Sequence, residues 1–136
     1  MIGIVIVAHA GLAQALLDAT EHVVGPQENV IAIPIYPTDD LRLRQAEIDR
    51  SVAETDTGDG VVLITDMFGG TPSNLALGSM RGERIEVICG VNLPLLVKLA
   101  KCRDRGLQEA VARALDAGHR YLDSAAGILE PDRARR

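Results

Sequence analysis

Short apolar runs of strand length alternate along this chain with longer segments whose apolar positions recur at helical spacing. Residues 2–7, Ile-Gly-Ile-Val-Ile-Val, are β-branched and apolar on both faces, as a buried parallel strand requires. Over residues 12–24, Leu12, Leu16, Ala19 and Val23 return near the helical period, and Gly25-Pro26 stops the segment. Residues 30–36 predict a second strand. Pro34 inside it has no N–H for a ladder, which assigns this strand to a sheet edge. Thr38 reads as an N-cap, with Asp39 and Asp40 in the first turn of a helix that reaches about residue 54. Residues 61–65 form the third strand, framed by Gly58-Asp59-Gly60 and Gly69-Gly70. Thr71 then stands in a capping position, with Pro72 at the first helical position. A fourth strand over 84–89 and helices over 94–102 and 107–117 complete the pattern, the last with Leu107, Val111 and Leu115 on one face. Residues 131–136 read as a solvated tail.

A strand–helix alternation of this kind builds a parallel sheet with helices on both faces and right-handed crossovers. With the second strand at an edge, the pattern predicts an α/β, flavodoxin-like three-layer fold with strand order 2-1-3-4. Ligands of such sheets bind outside the carboxyl ends of the strands, where the winding reverses. Here that point lies between strands one and three.

The 136 residues amount to one domain, and 47% hydrophobic with 24% charged residues is the composition of a soluble globular chain. No apolar stretch reaches the roughly 20 residues of a membrane span. The N-terminus lacks the basic start of a signal peptide. A net charge of −5, with two Tyr, one Phe and no Trp, argues against nucleic acid as a partner. Cys89 and Cys102 form no CxxC pair and read as packing residues of a reducing cytosol. His9, His22 and His119 lie far apart without metal-ligand spacing, so neither a metal nor a cofactor is expected.

At the switch point, strand one ends in Ala8-His9-Ala10-Gly11 and strand three in Thr65-Asp66. Side chains from adjacent strand ends can meet. A carboxylate that accepts the imidazole Nδ1–H fixes the tautomer and leaves Nε2 as a free lone pair, which makes His9 a nucleophile or base and Asp66 its orienter. Gly69, Gly70 and the helix start at Thr71 add backbone N–H groups suited to an anion such as a phosphoryl group on His9. The ordinary reading of those glycines is a strand–helix turn. Phe68 reads as a loop anchor or a partner contact. His22 and His119 read as surface residues, His119 after the last helix. A receiver-like domain would instead be phosphorylated on Asp66, but needs an acidic pair after strand one where this chain has Ala8-His9-Ala10. A flavodoxin-like binding module would want hydroxyls in that same loop. A His-Asp hydrolase would have only Ser73 as nucleophile, and no GxSxG surrounds it.

The run Thr-Asp-Met-Phe-Gly-Gly-Thr-Pro-Ser-Asn at 65–74, with Gly-Val-Asn-Leu-Pro at 90–94 and a first strand ending in His9, resembles the mannose-family EIIA component of the phosphoenolpyruvate sugar phosphotransferase system. The similarity extends to about residue 125, which makes 1–125 the domain and 126–136 a C-terminal tail. The resemblance implies that His9 is phosphorylated on Nε2 by the phosphocarrier HPr and passes the group to a IIB component. Asp66 would orient the ring, and Thr71 with the neighbouring amides of Gly69 and Gly70 would hold the phosphate. It further implies a cytoplasmic homodimer, peripheral to the membrane only through a transporter complex with IIC and IID. A C-terminal strand would be exchanged between subunits, with residues 119–123 as the candidate. Many sugar-transporting members continue through a Pro/Ala-rich linker into a IIB domain, whereas this sequence stops at Arg136. Transport and a regulatory phosphorelay both remain open.

Overall fold

Four parallel strands and the helices between them arise directly from that alternation. In a computed structural model that describes residues 1–82 and 84–130, the elements are β1 (Gly3–His9), α1 (Leu12–Val24), β2 (Val30–Ile35), α2 (Leu41–Thr55), β3 (Val61–Thr65), α3 (Thr71–Gly78), β4 (Ile85–Cys89), α4 (Leu93–Lys101), α5 (Leu107–Arg120) and α6 (Ala125–Leu129). The sheet has the order β2-β1-β3-β4, and each neighbouring pair runs parallel. Pro34 lies on the edge strand β2, opposite Ala8. The adjoining Ile35 turns its carbonyl inward and accepts the Ala10 N–H at 2.9 Å.

The pleat of the two central strands divides the core. Ile4, Ile6, Ala8, Val62 and Ile64 face one layer, with Ala13, Leu95, Leu96, Leu99, Ala110 and Ala114. Val5, Val7, Val61 and Leu63 face the other, with Ile48 and Val52 of α2 and Leu75 and Ala76 of α3. β1 is buried from Gly3 to Ala8, and its burial ends at His9. The carboxyl end of the sheet is therefore where a polar side chain first reaches solvent.

The opposite end is closed by Arg103, only 5% exposed. Its guanidinium donates to the Ile2 carbonyl at 2.8 Å, the Asn29 carbonyl at 3.0 Å and the Gln27 side-chain oxygen at 3.3 Å. Its own carbonyl accepts the Ile2 N–H at 2.9 Å. One cation thus ties the start of β1, the approach to β2 and the α4–α5 turn. Burial pushes its pKa down, but an arginine keeps its charge.

Several local expectations shift. Asp40, rather than Thr38, is the N-cap of α2, accepting the Arg42 and Leu43 N–H groups at 2.9 and 3.4 Å. The buried face of α5 is Ala110, Val111, Ala114, Ala117 and Gly118, while Leu115 is exposed. The reason is close approach: a Cβ on Gly118 would lie 3.1 Å from Leu95 Cδ1. On α1, Leu12 and Val23 are exposed while Ala13 and Thr20 are buried. Residues 119–123 do not form a strand. Small residues continue α5 along α4 as far as Arg120, so His119 belongs to its last turn, and Asn92 Nδ2 donates to the Gly118 carbonyl at 2.9 Å. Ser124 then caps α6, accepting the Gly127 N–H at 2.9 Å. The limit at residue 125 coincides with the first residue of α6, and 131–136 lie outside the described residues.

Replacing Arg103 with leucine removes a buried cation and leaves two backbone carbonyls without that donor. A stability loss of about 2–4 kcal/mol is expected. It would be read as a lower urea midpoint with an unchanged slope.

Candidate functional site

Parallel pairing of β1 with β3 puts Val7 opposite Thr65, so His9 and Asp66 both emerge at the same end of adjacent strands. The residue before Asp66 is fixed from the far side, because the Thr65 carbonyl accepts the N–H groups of Gly90 and Val91 at 3.1 and 3.2 Å. Asp66 Oδ2 then accepts the His9 backbone N–H at 3.0 Å and lies 2.7 Å from His9 Nδ1. Its other oxygen accepts the Met67 N–H at 3.0 Å. An ionised carboxylate only accepts, so Nδ1 carries the hydrogen and the neutral ring keeps its lone pair on Nε2. The Asp66 side chain is 12% exposed and that of His9 49%. Burial works against ionisation of Asp66, yet the hydrogen bonds and charge of His9, with the Met67 amide, outweigh it and hold its pKa below the ordinary value.

The two glycines of the following turn have different tasks. Gly69 has φ +91° with open space around it, a left-handed backbone that favours glycine. Gly70 has φ −88°, which any residue tolerates, but a Cβ there would lie 3.0 Å from His9 Cε1 and 3.4 Å from Nε2. Its missing side chain keeps the nucleophilic edge of the ring clear. Gly70, not Thr71, is the N-cap of α3, and Thr71 is the first helical residue. The turn is stitched by Ser73, whose Oγ accepts the Gly69 N–H and donates to the Gly70 carbonyl, both at 2.9 Å. First-turn N–H groups have no carbonyl within the helix to bond, Pro72 contributes none, and Thr71 stands beside the imidazole.

His9 and Thr71 open onto a cleft of about 350 Å³ walled by Ile35, Tyr36, Pro37, Asp39 and Leu41. Phe68 stands 74% exposed on the loop after Asp66, with Met67 exposed beside it. His22 and His119 lie exposed in the last turns of α1 and α5, and neither lines the cleft onto which His9 opens. The predicted His9, Asp66, Gly70 and Thr71 are brought together; Gly69 shapes the turn behind them. Sequence reasoning missed the Gly90–Val91 amides that hold Thr65, and it read Asp39 only as a helix-end charge. The Gly-Val-Asn-Leu-Pro run was the available signal for the amides.

The family model described as "PTS system fructose IIA component" (EIIA-man) matches residues 3–115. The chain belongs to this family. As an EIIA-man chain it is 37% identical over 120 residues to the PTS system mannose-specific EIIAB component of Escherichia coli K12, covering 86% of this chain and 37% of that protein. It therefore spans little more than a third of the length of that relative. It is 34% identical to the putative phosphotransferase enzyme IIA component YadI of the same strain, over 76% of this chain and 72% of that one. Among solved structures, phosphotransferase system component EIIA from Streptococcus agalactiae superposes with a TM-score of 0.81 at 25% identity, covering 91% of this chain and 97% of that one.

Two outcomes follow from the geometry. Gly70→Val should fold yet slow carbethoxylation of His9 Nε2 by diethyl pyrocarbonate at least about tenfold, since the added side chain meets the ring edge. Asp66 has a lowered folded-state pKa, so it contributes stability above the ordinary carboxylate range that is lost as pH falls through the lower folded value. Denaturant titrations from pH 6 down to about pH 3 should show a shallower decline for Asp66→Asn than for the parent.

Proposed function

We propose that this EIIA-man chain is a phosphocarrier: Nε2 of His9 accepts a phosphoryl group from HPr and passes it to a IIB component. The observation that carries the proposal is the 2.7 Å contact of His9 Nδ1 with Asp66, which leaves Nε2 facing the cleft beside Gly70. The P–N bond to His9 forms as the bond to the donor breaks. Such a loose transition state asks mainly for alignment and charge stabilisation. Asp66 favours the cationic ring formed on phosphorylation while sitting on the far side of it from the phosphoryl group. Thr71 with the Gly70 amide and the α3 N-terminus would hold the phosphoryl oxygens, at about 0.3–1 kcal/mol for the exposed dipole, while the Gly69 amide expected to join them is already given to Ser73 Oγ. Asp66 itself is poorly placed as an acceptor, because both of its oxygens are already engaged by His9 and Met67.

Phe68 and Met67, exposed on the loop that follows Asp66, are suited to contact the protein donor and acceptor. The net charge of −5 favours a donor with a basic rim, speeding encounter. The same reading makes the protein a cytoplasmic homodimer that meets the membrane only through its partners; no helix among the described residues is long and apolar enough to cross one. Exposed Leu122, Ile128 and Leu129 in and around α6 support a subunit contact through the C-terminal segment.

Incubation with phosphoenolpyruvate, Enzyme I and HPr should add one acid-labile phosphoryl group, seen by intact-mass spectrometry and mapped to His9. His9→Ala should take up none, and Asp66→Asn should keep the fold while slowing transfer roughly a hundredfold. Uptake of acid-labile phosphate by His9→Ala would remove His9 as the acceptor.

A further inference from the structure

A second carboxylate stands on the cleft wall, and it is paired. Asp39 lines the cleft with His9 and Thr71, and its Oδ2 accepts the Tyr36 N–H at 2.8 Å and the Arg44 Nε–H at 2.9 Å. Arg44 is held from its other end as well, donating from Nη1 to Glu47 Oε2 at 2.6 Å. The Tyr36 amide, and after it Arg44, keep the Asp39 pKa below its ordinary value, so the group is an anion at neutral pH. Among the described residues, those that line the cleft include no lysine or arginine. Turn formation alone does not require this arrangement, because an asparagine oxygen would accept the Tyr36 N–H equally well.

We infer that Arg44 is a positioning residue for phosphoryl transfer, which offsets the charge of Asp39 on the cleft wall so that a phosphoryl dianion can settle on His9. The inference rests on the reading of His9 as the phosphoryl acceptor. A phosphoryl group carries about −1.5 to −2 charge. A bare carboxylate facing the same cleft would oppose its arrival, whereas the guanidinium bonded to Asp39 lowers the charge of the Asp39–Arg44–Glu47 group from −2 to −1 and places the positive charge against the carboxylate that faces the cleft. Two carboxylate partners, one on each end of the guanidinium, hold Arg44 in place on Asp39. It therefore acts through Asp39 and needs no contact with the phosphate.

The test compares the parent protein, Arg44→Gln and the double variant Asp39→Asn/Arg44→Gln. Glutamine can still donate to Asp39 but carries no charge. Initial rates and final occupancy of His9 are measured with Enzyme I, HPr and phosphoenolpyruvate in low salt and in about 0.5 M KCl, where exposed charges are screened. Arg44→Gln should lose about three- to tenfold in rate at low salt. That deficit should shrink in high salt and vanish in the double variant, which lacks the unpaired carboxylate on the cleft wall and has the same net charge as the parent. A rate for Arg44→Gln equal to the parent at low salt would overturn the inference. So would a deficit that survives both salt and the Asp39→Asn change, since it would mark a purely structural role. A parent protein that takes no phosphate on His9 would overturn the acceptor reading, and this inference with it, and is distinguished by the parent measurement alone.

Discussion

One carboxylate oxygen accepting two hydrogens from the same residue is the contact on which the site depends. Asp66 Oδ2 takes both the backbone N–H and the ring Nδ1 of His9. The first bond places the main chain where β1 leaves the sheet, and the second sets the rotation and tautomer of the ring. Neither is possible unless β1 and β3 are adjacent, parallel and in register at Val7 and Thr65. The hydrophobic alternation that builds the two core layers therefore also aligns the polar pair, and a one-residue slip would turn the imidazole to the opposite layer.

Much of this was legible in the chain. β-branched runs located the strands to within two residues at either end, and Pro34 marked β2 as an edge, which left the order 2-1-3-4 as the fitting arrangement. His9 and Asp66 could be paired because strand ends in a parallel sheet share one rim. Details decided by competition between similar residues were less readable. Thr38, Asp39 and Asp40 can all cap a helix, and only the backbone extended at Asp40 selects it. On α5, periodicity weighted toward large side chains chose Leu115, while packing against α4 favoured the alanines and Gly118. The same close packing carries α5 through Arg120, where the family resemblance implied an exchanged strand and the local period was ambiguous.

Adjacent glycines with opposite reasons illustrate why composition alone misleads. Gly69 is required by its backbone angle and Gly70 by its neighbour, the imidazole. Both rationales converge on the open face of His9. Ser73, which sequence reasoning considered only as a nucleophile, instead uses its hydroxyl to close the loop between them.

Pro34 has an effect on the outer margin of the sheet. Successive residues of a strand turn their peptide groups to alternate sides, and Ile35 uses its carbonyl toward β1. The position of Pro34 then faces away from the sheet, and its ring interrupts the row of donors that a visiting strand would read. One margin of this sheet is blunted against lateral growth by that ring, while at the β4 margin the Val87 N–H is taken up by the Glu86 carboxylate at 3.1 Å. Both margins thus withhold a donor from a visiting strand, one through a missing hydrogen and the other through a carboxylate.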